Sequence, residues 1–436
     1  MTRDKKESIP YSHKFTSDFN SVIFIVVWNS LGFFFVDFII TYIINQVLEA
    51  SGVALALYPI SLTSGGLISS SFVGHLTDRY SKRNLVMIGA FGRGVSYFGL
   101  FASIIMQSLV GMYFSAFLLG FGAYLFWNPL DTIISEKSSK YHRSSAFGKR
   151  RFALGIGMIL GTIIGFAIFS LTNIFAPNNV FLLYSALPIF GIANFFAGIQ
   201  FTRKVDEHKK FQYPGDSING VDEDFESEIK DMNTLEKNTH LILFGVILLF
   251  LALFLGATNA GIYRPFILPL IFLNISDNPS LVSWFFLPTS IIGTIIAPKL
   301  GTLADKINPY IGISIASIIG GFITLLIIFC RDLWFFSFLL IIDNTILLTT
   351  GFIMVNFISR VSIKHRGKLF GLISVFESVG MIIGPFLGGF VWDTISPQAP
   401  FIISIIAEWS LIPFFILGIW ILRFNIVEII DIKESK

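Results

Sequence analysis

The hydropathy pattern of this chain is a succession of long apolar runs separated by short polar stretches, with six runs on each side of a central polar segment. A helix needs about 20 consecutive apolar residues to span the hydrocarbon core of a bilayer. The sequence lacks the alternating segments that are typical of membrane β-barrels. The pattern therefore predicts an all-α membrane protein with twelve transmembrane helices, at residues 20–45, 53–73, 85–108, 111–131, 152–174, 181–202, 241–263, 281–298, 310–330, 333–357, 369–392 and 401–422.

The polar segments divide these runs into two groups. The central segment is mixed in charge and contains turn residues, which is typical of a linker between two bundles. The polar stretch at the start shows no cleavable signal pattern, so we expect the first helix to be retained. The predicted organisation is an N-terminal tail at 1–19, a six-helix bundle at 20–202, a linker at 203–239, a second six-helix bundle at 240–424 and a C-terminal tail at 425–436.

The composition excludes a water-soluble fold. Of the 436 residues, 54% are hydrophobic and 14% are charged, and the mean hydropathy is +0.74. Soluble domains carry about 25% charged residues. The single cysteine, Cys330, excludes a disulfide within the chain and a metal site built from several cysteines. Neither a cofactor nor a metal is expected.

The distribution of lysine and arginine predicts the orientation. With a cytoplasmic N-terminus and alternating helices, all of the 31 lysines and arginines except Arg93, Arg264 and Arg331 lie on the cytoplasmic side. This asymmetry indicates that both termini are cytoplasmic. We expect Arg264 near the outer surface, and a multi-pass protein in the cell membrane. Because the basic residues are spread over several short loops, no nucleic-acid partner is expected.

One stretch of the sequence occurs twice. Residues 142–166 read HRSSAFGKRRFALGIGMILGTIIGF, and residues 365–389 read HRGKLFGLISVFESVGMIIGPFLGG. A second pair, GHLTDR at 74–79 and GTLADK at 301–306, precedes these copies in the same order. Internal repeats of this kind are typical of secondary transporters. The chain is therefore interpreted as two copies of one membrane unit, which points to a transporter.

The loop GHLTDRYSKR at 74–83 resembles the hallmark loop of the major facilitator superfamily, a G-x-L-x-D-R-x-x-R/K-R pattern. GTLADK at 301–306 resembles the weaker second copy of that loop. The resemblance covers essentially the whole chain and implies two six-helix bundles around a central cavity, which work by alternating access. It also implies a conformational latch in the cytoplasmic loops, for which the candidates are Gly74, Asp78, Arg79, Arg83, Gly301, Asp305, Arg143 and Arg366.

A series of glycines follows in both long repeats. Small residues at every fourth position let two helix backbones approach closely, and a proline bends a helix. The G-x-x-x-G-P-x-x-G-G series at 380–389 resembles the signature that drug:proton antiporters of the superfamily carry in their fifth helix. Here the intact series is in the eleventh helix, and the fifth has lost the proline and the last glycine. Plain helix packing is the alternative interpretation.

Ionisable residues inside the predicted spans are candidates for proton coupling, because such residues are costly in lipid and tend to mark ion or substrate paths. Asp37 shares one helix face with Asn29 and Phe33. Asp37 or Asp131 could be the anionic partner of Arg93, and the sequence does not choose between them. The candidates are Asp37, Arg93, Asp343, Glu377 and Glu408.

Aromatic and amide side chains on the cavity-lining helices suit an amphipathic or apolar organic substrate. The candidates are Trp28, Asn29, Phe33, Tyr124, Trp127, Asn128, Asn259, Tyr263 and Asn344. The first interpretation is a monomeric, proton-coupled exporter of a small organic solute, although another cation could replace the proton. A proton-coupled uptake symporter for a small metabolite is the second, and a non-transporting sensor or scaffold is a third. No constellation typical of an intramembrane enzyme is found, so no catalytic residue is predicted.

Overall fold

The computed structural model of the protein describes residues 14–139, 142–211, 239–304, 307–361 and 366–422. Helices make up almost all of these residues, and no strand forms among them. The N-terminal half contains α1 (Phe19–Asn29), α2 (Phe33–Tyr42), α3 (Gly52–Arg79), α4 (Lys82–Ile105), α5 (Leu109–Glu136), α6 (Arg143–Phe175), α7 (Val180–Leu183) and α8 (Ala186–Lys204). The C-terminal half contains α9 (Thr239–Tyr263), α10 (Ile267–Asn274), α11 (Pro279–Ala304), α12 (Pro309–Phe329), α13 (Leu333–Val361), α14 (Arg366–Thr394) and α15 (Ala399–Leu422).

Several helices begin at a serine cap. The hydroxyls of Ser51, Ser81 and Ser108 accept hydrogen bonds from backbone N–H groups three residues further on, at the starts of α3, α4 and α5. These helices also extend beyond the apolar runs that predicted them. For example, α3 continues to Arg79 although its apolar run ends at residue 73. The hydropathy pattern marks the part of a helix that lies in lipid, whereas the caps fix where the helix ends.

Three predicted spans are interrupted, of which the sixth is divided between α7 and α8 at Tyr184–Ser185. The first is split into α1 and α2 at Ser30–Gly32 and ends in a π-helical turn, Ile43–Val47. A side chain at Gly32 would overlap the Tyr97 ring, so this break lies at a close contact with α4. The seventh span continues beyond α9 through a 3₁₀ turn, Arg264–Phe266, into α10. The proline in that turn has no backbone N–H to donate, which favours an interruption there.

Ten helical segments in the described part of the chain are long and apolar enough to cross a membrane. They make the chain a multi-pass membrane protein. These segments are Phe19–Val47, Gly52–Thr77, Lys82–Ile105, Leu109–Glu136, Ser145–Phe175, Phe244–Asn274, Pro309–Phe329, Leu333–Met354, Leu372–Thr394 and Ala399–Leu422. The predicted spans at 181–202 and 281–298 correspond to α7–α8 and α11, which are not among the ten.

The two halves repeat one helix contact through glycines. In the N-terminal half, α6 packs against α1 and α2, and a Cβ at Gly161 would overlap the carbonyl oxygen of Leu31. In the C-terminal half, α14 packs against α9, and a Cβ at Gly384 would overlap the carbonyl oxygen of Thr258. Gly161 and Gly384 are equivalent positions of the sequence repeat. In both halves, this glycine series therefore allows two helix backbones to pack closely together.

Contacts between the halves join α3 to α14 and α6 to α11. At the first crossing, Gly389 packs directly on the backbone of Gly52. Aromatic residues extend the contact into a shared apolar core, in which the Tyr42 and Phe272 rings lie 5.6 Å apart. All these contacts lie at the end of the bundle where α3 begins and α14 ends. We call this the far end, and we call the opposite end, where α4 begins and residues 205–211 pack, the linker end.

Candidate functional site

The interior of the N-terminal half contains a fully buried cation. Arg93, on α4, is 0% exposed, and its guanidinium donates a hydrogen bond to the side-chain oxygen of Asn29. The guanidinium lies over the ring of Phe33, 4.4 Å from its centroid, and 6.0 Å from that of Trp127. Faces of aromatic rings attract cations, and they do so more strongly where water is excluded. Amide and ring contacts therefore stabilise this charge.

Amide hydrogen bonds fix the Asn29 side chain that receives Arg93. Asn29 donates to the side-chain oxygen of Asn194 at 2.7 Å, and Asn194 donates to the carbonyl oxygen of Phe190 at 2.8 Å. Arg93 forms no ion pair with an acid among the described residues. Asp131, one of its two predicted partners, instead pairs with Arg150 at 2.7 Å.

Asp37, the other predicted partner, lies on α2 and accepts a hydrogen bond from the Tyr58 hydroxyl at 3.2 Å. Its side chain is exposed although protein surrounds it on all sides at longer range. Asp37 is therefore accessible to small molecules such as water from within its protein surroundings. A carboxylate with one hydroxyl donor and access to water can take up and release a proton.

A second polar group lies in the C-terminal half. The hydroxyl of Tyr263 donates to the carboxylate of Asp343, with oxygen–oxygen distances of 3.3 and 3.4 Å. Arg264 lies close enough to interact electrostatically with both groups. The sequence predicts Arg264 near the outer surface, and Arg264 is not among the predicted candidates for proton coupling. Its position directly before Pro265, at the end of α9, is the signal that could have drawn attention to it.

Among the described residues, the hydrogen-bond partners of Glu408, on α15, are all neutral. Asn259 donates to its carboxylate at 2.6 Å, and Ser317 on α12 forms the second hydrogen bond. The charged neighbour that acts on Glu408 is Asp343, which carries the same sign. This acid therefore differs from Asp343, which has a nearby arginine.

Asp343, Glu377 and Glu408 line one cavity of about 630 Å³ in the C-terminal half. Its walls come from α9, α12, α13, α14 and α15, and Arg151 of the N-terminal half reaches its edge at the linker end, over the Phe352 ring. Cavities of this size accommodate drug-sized organic molecules. The polar and charged lining residues are Arg151, Asn259, Tyr263, Ser317, Thr324, Asp343, Thr350, Ser374, Glu377, Ser404 and Glu408.

The predicted cavity residues do not all lie together in the structure. Asn259 and Tyr263 line the cavity of the C-terminal half, while Asn29, Phe33 and Trp127 surround Arg93. Of the remaining predicted residues, Trp28, Tyr124 and Asn344 lie in helix contacts. Trp28 packs on Phe24 and Phe196, Tyr124 packs on Gly66, Asn128 lies on α5, and Asn344 donates to the carbonyl oxygen of Thr289 at 3.5 Å.

The predicted latch residues are only partly described. Gly74 has open space around it, Arg79 is exposed, and Arg83 borders the same small surface hollow as Arg79 at the linker end. Asp305 lies outside the described residues. The side chains of Asp78, Arg143 and Arg366 and the surroundings of Gly301 lie outside them as well.

Glu207, at the start of the linker, binds the N-terminus of α4. Its carboxylate accepts hydrogen bonds from the Ser81 hydroxyl and from the backbone N–H of Lys82 at 2.7 Å and of Arg83 at 3.3 Å. Burial by itself would raise the pKa of Glu207, but these hydrogen bonds outweigh burial and hold the pKa below its ordinary value. The ionised carboxylate therefore attaches the linker to the N-terminal half.

Lys137 connects three segments at the same end. Its buried ammonium pairs with Asp18 at 2.6 Å and donates to the carbonyl oxygens of Asp206 at 2.6 Å and Lys209 at 3.0 Å. The pKa of Asp18, which burial alone would raise, is lowered by its hydrogen bond with Lys137. The segment before α1, the end of α5 and the start of the linker are thus held together.

Polar contacts close the far end between the halves. The carboxylate of Asp393, at the end of α14, accepts hydrogen bonds from the backbone N–H groups of Gly52 at 2.6 Å and Val53 at 3.0 Å, in the first turn of α3. Anions at a helix N-terminus are stabilised by its unpaired N–H groups and by its dipole. The Asn173 amide also donates to the Ser280 hydroxyl at 3.2 Å.

A helical membrane fold, two repeated halves and an internal cavity lined by charged groups define the class as a membrane transporter rather than an enzyme. Sequence comparison agrees, because the sequence model of the Major Facilitator Superfamily matches residues 22–361 and 249–426. The chain belongs to this superfamily, which confirms the resemblance of its loop signature.

Individual relatives are named as drug-resistance transporters. "Multidrug resistance protein 2" of Bacillus subtilis (strain 168) is 23% identical over 378 residues, which are 80% of this chain and 82% of the relative. "Tetracycline resistance protein, class H" of Pasteurella multocida is 33% identical over 168 residues, 37% of this chain and 41% of the relative. Among solved structures, a mutant of the nucleoside transporter NupG covers 92% of this chain and 100% of its own, with a TM-score of 0.66 at 15% identity. This last likeness shows the fold alone.

Proposed function

We propose that the protein is a secondary transporter that exports a small amphipathic organic solute in exchange for protons by alternating access. The observation that carries the proposal is Asp37, an accessible carboxylate on a predicted span with the Tyr58 hydroxyl as its hydrogen-bond donor. Buried carboxylates with access to water are suited to proton coupling. The names of the drug-resistance relatives support export as the direction.

The described conformation fits one stage of such a cycle. The halves are joined at the far end through Asp393 and α3, while the cavity of the C-terminal half reaches toward the linker end at Arg151. Alternating access requires that the far end opens when the linker end closes. We place the linker end in the cytoplasm because most lysines and arginines belong to its loops, so that the described state faces inward in the cell membrane.

The finer topology belongs to the same proposal. With α7–α8 and α11 as additional spans, the ten long apolar segments become twelve, and both termini are cytoplasmic. The boundary between the bundles lies in the linker at 203–239. Arg93, Asp343, Glu377 and Glu408 remain candidates for coupling beside Asp37, and the loops around Gly74 and Gly301 remain candidates for the latch. The transporter functions as a monomer in this proposal.

The test uses the full chain reconstituted into liposomes that contain a pH-sensitive dye. With an acidic lumen, an antiporter exchanges luminal protons for added solute, so the lumen becomes more alkaline, whereas a symporter would carry protons inward and acidify it. A panel of amphipathic solutes should produce the alkaline response, and Asp37→Asn should abolish it. An unchanged response in Asp37→Asn would move the coupling role to Asp343 or Glu377, and the absence of any response to the panel would overturn the proposal.

The uptake symporter remains the second candidate function because the same carboxylates could couple inward transport. The sign of the pH change in the same vesicles separates the two. A non-transporting sensor or scaffold would give no pH change with any solute.

A further inference from the structure

One helix contact is repeated in the two halves and fixes which positions correspond. A Cβ at Gly94 on α4 would overlap the ring of Phe195 on α8. In the C-terminal half, a Cβ at Gly321 on α12 would overlap the ring of Trp409 on α15. These two contacts join equivalent helices in the same way, so the residues beside them can be compared directly.

The residues that precede these contacts differ in charge. On the first helix of each pair, Arg93 corresponds to Gly320, and on the second helix, Asn194 corresponds to Glu408. The N-terminal half therefore places a guanidinium among amides, whereas the C-terminal half has an acid and no side chain at the position of the arginine. A Cβ at Gly320 would lie 3.9 Å from the Glu408 carboxylate, which is ordinary contact, so this position has room for a group.

The two rings that hold the guanidinium are also missing from the C-terminal half. Phe33 corresponds to Ala260 when the halves are aligned on the glycine contacts of α6 and α14. Trp127 corresponds to Gly351 when α5 and α13 are aligned on their capping residues, Ser108 and Asp332. The space that the cation and its rings fill in one half is open in the other.

This open space is part of the cavity described above. Gly320, Ala260 and Gly351 all line it, together with Glu408. The cavity therefore arises because small residues replace an arginine and two aromatic residues within a repeated helix arrangement. It lies inside the C-terminal bundle and carries an acid where the equivalent site carries an amide.

Glu408 has no cation of its own in the described part of the chain. Its contacts are the neutral Asn259 and Ser317 and the like-charged Asp343, whereas Asp343 has Arg264 nearby. A carboxylate away from bulk water is stable as an anion only with a compensating charge. The geometry leaves room for such a charge beside Gly320.

We propose that Glu408 anchors a binding subsite for organic cations, which takes the charged nitrogen of a solute in the space that corresponds to the Arg93 guanidinium. The subsite gives the proposed transport cavity a specificity for positively charged over uncharged solutes of the same shape. This proposal rests on the proposed function only because it treats the cavity as a path for solutes.

The first experiment measures equilibrium binding of ethidium, a permanent cation, and of its uncharged reduced form dihydroethidium to the full chain in detergent at pH 7 by dialysis. We expect Glu408→Gln to weaken ethidium binding by about tenfold or more, the order of one lost charge interaction, and to change dihydroethidium binding by less than about twofold. Asp332→Asn is the control, because this acid caps α13 outside the cavity. Equal effects on both probes, or none on ethidium, would overturn the proposal.

A second pair of variants decides the question even if Glu408→Gln fails to fold. Gly320→Lys brings an ammonium to Glu408, and Gly320→Met adds a side chain of similar length without charge. Lysine should weaken ethidium binding at least tenfold more than methionine does, with no such difference for dihydroethidium. Equal weakening by both would show that only volume matters and would refute the charge subsite. Binding in detergent needs no proton gradient, so a loss of coupled transport in liposomes with intact binding would count against the proposed function alone.

Discussion

The two halves share one scaffold and have opposite interiors. In the N-terminal half, Arg93 fills the space between α1, α4 and α8 and is held by Asn29 and by two aromatic rings. In the C-terminal half, the equivalent space is a cavity whose acids include Glu408. The comparison shows that a duplicated fold can keep its helix contacts while its interior diverges. The arginine and its contacts fill one half, and in our proposal the uncompensated acid makes the other available to a ligand.

The largest effect is expected where the scaffold is shared. Gly161→Leu and Gly384→Leu should each prevent folding, because a side chain would overlap a backbone carbonyl of the neighbouring helix, and overpacking costs at least about 1–3 kcal/mol even where side chains can adjust. The measurement is the yield of monodisperse protein from membranes. Gly148→Leu, on the same helix as Gly161 but in open space, should express normally. Normal yield of the Gly161 variant would refute the close approach.

A smaller effect on stability is expected from the buried charges, and it should differ between the interiors of the two halves. Arg93→Met should lower the free energy of unfolding by about 3 kcal/mol, because it removes the contacts of the guanidinium with two aromatic rings and leaves the buried Asn29 oxygen without its donor. Glu408→Gln should change it by less than about 1 kcal/mol, because the hydrogen bond from Asn259 can persist. Thermal unfolding in detergent gives both values. Equal losses would mean that the charges of both halves are structural.

The next largest effect is expected at the contact between the halves at the far end. Asp393→Asn removes the negative charge at the N-terminus of α3, an interaction worth about 1 kcal/mol, and should favour opening of the far end by about fivefold. The measurement is the distance distribution between spin labels at Gln107 and Asp277, after replacement of Cys330. Asp332→Asn is the matched control, since Asp332 caps a helix within one half. An unchanged distribution in the Asp393 variant would show that this contact does not hold the halves together.

The smallest effect concerns the linker, which binds the N-terminal half through Glu207. Glu207→Gln should cost about 1 kcal/mol at pH 7, because the neutral amide interacts more weakly with the helix N-terminus. The pKa of this carboxyl is depressed in the folded state, so its contribution is present above the ordinary value of 4.5 and is lost as the pH falls through the folded pKa. Melting temperatures of the wild type and the variant should therefore converge on acidification. A constant difference between them would exclude the charge as its cause.

The sequence predicted the membrane class, the family and the duplicated scaffold. Apolar runs and glycine spacing are local properties of the chain, and the equivalence of Gly161 and Gly384 was already visible in the repeat. Helix ends were less predictable because they depend on caps such as Ser51. The break at Ser30–Gly32 was missed since it depends on a close contact with another helix, at Tyr97.

The partners of the intramembrane charges were decided only by the tertiary structure. The sequence offered Asp37 and Asp131 to Arg93, but the described contacts give it Asn29 and aromatic rings. Arg264 was not among the residues predicted from the sequence to act in coupling, although it lies near Asp343. A charged side chain is stabilised by whichever groups surround it, and these come from helices far apart in the sequence. Hydropathy and the repeated motifs therefore determined that the chain spans the membrane as two repeated units, whereas the packing of those units decided which half is filled and which is open.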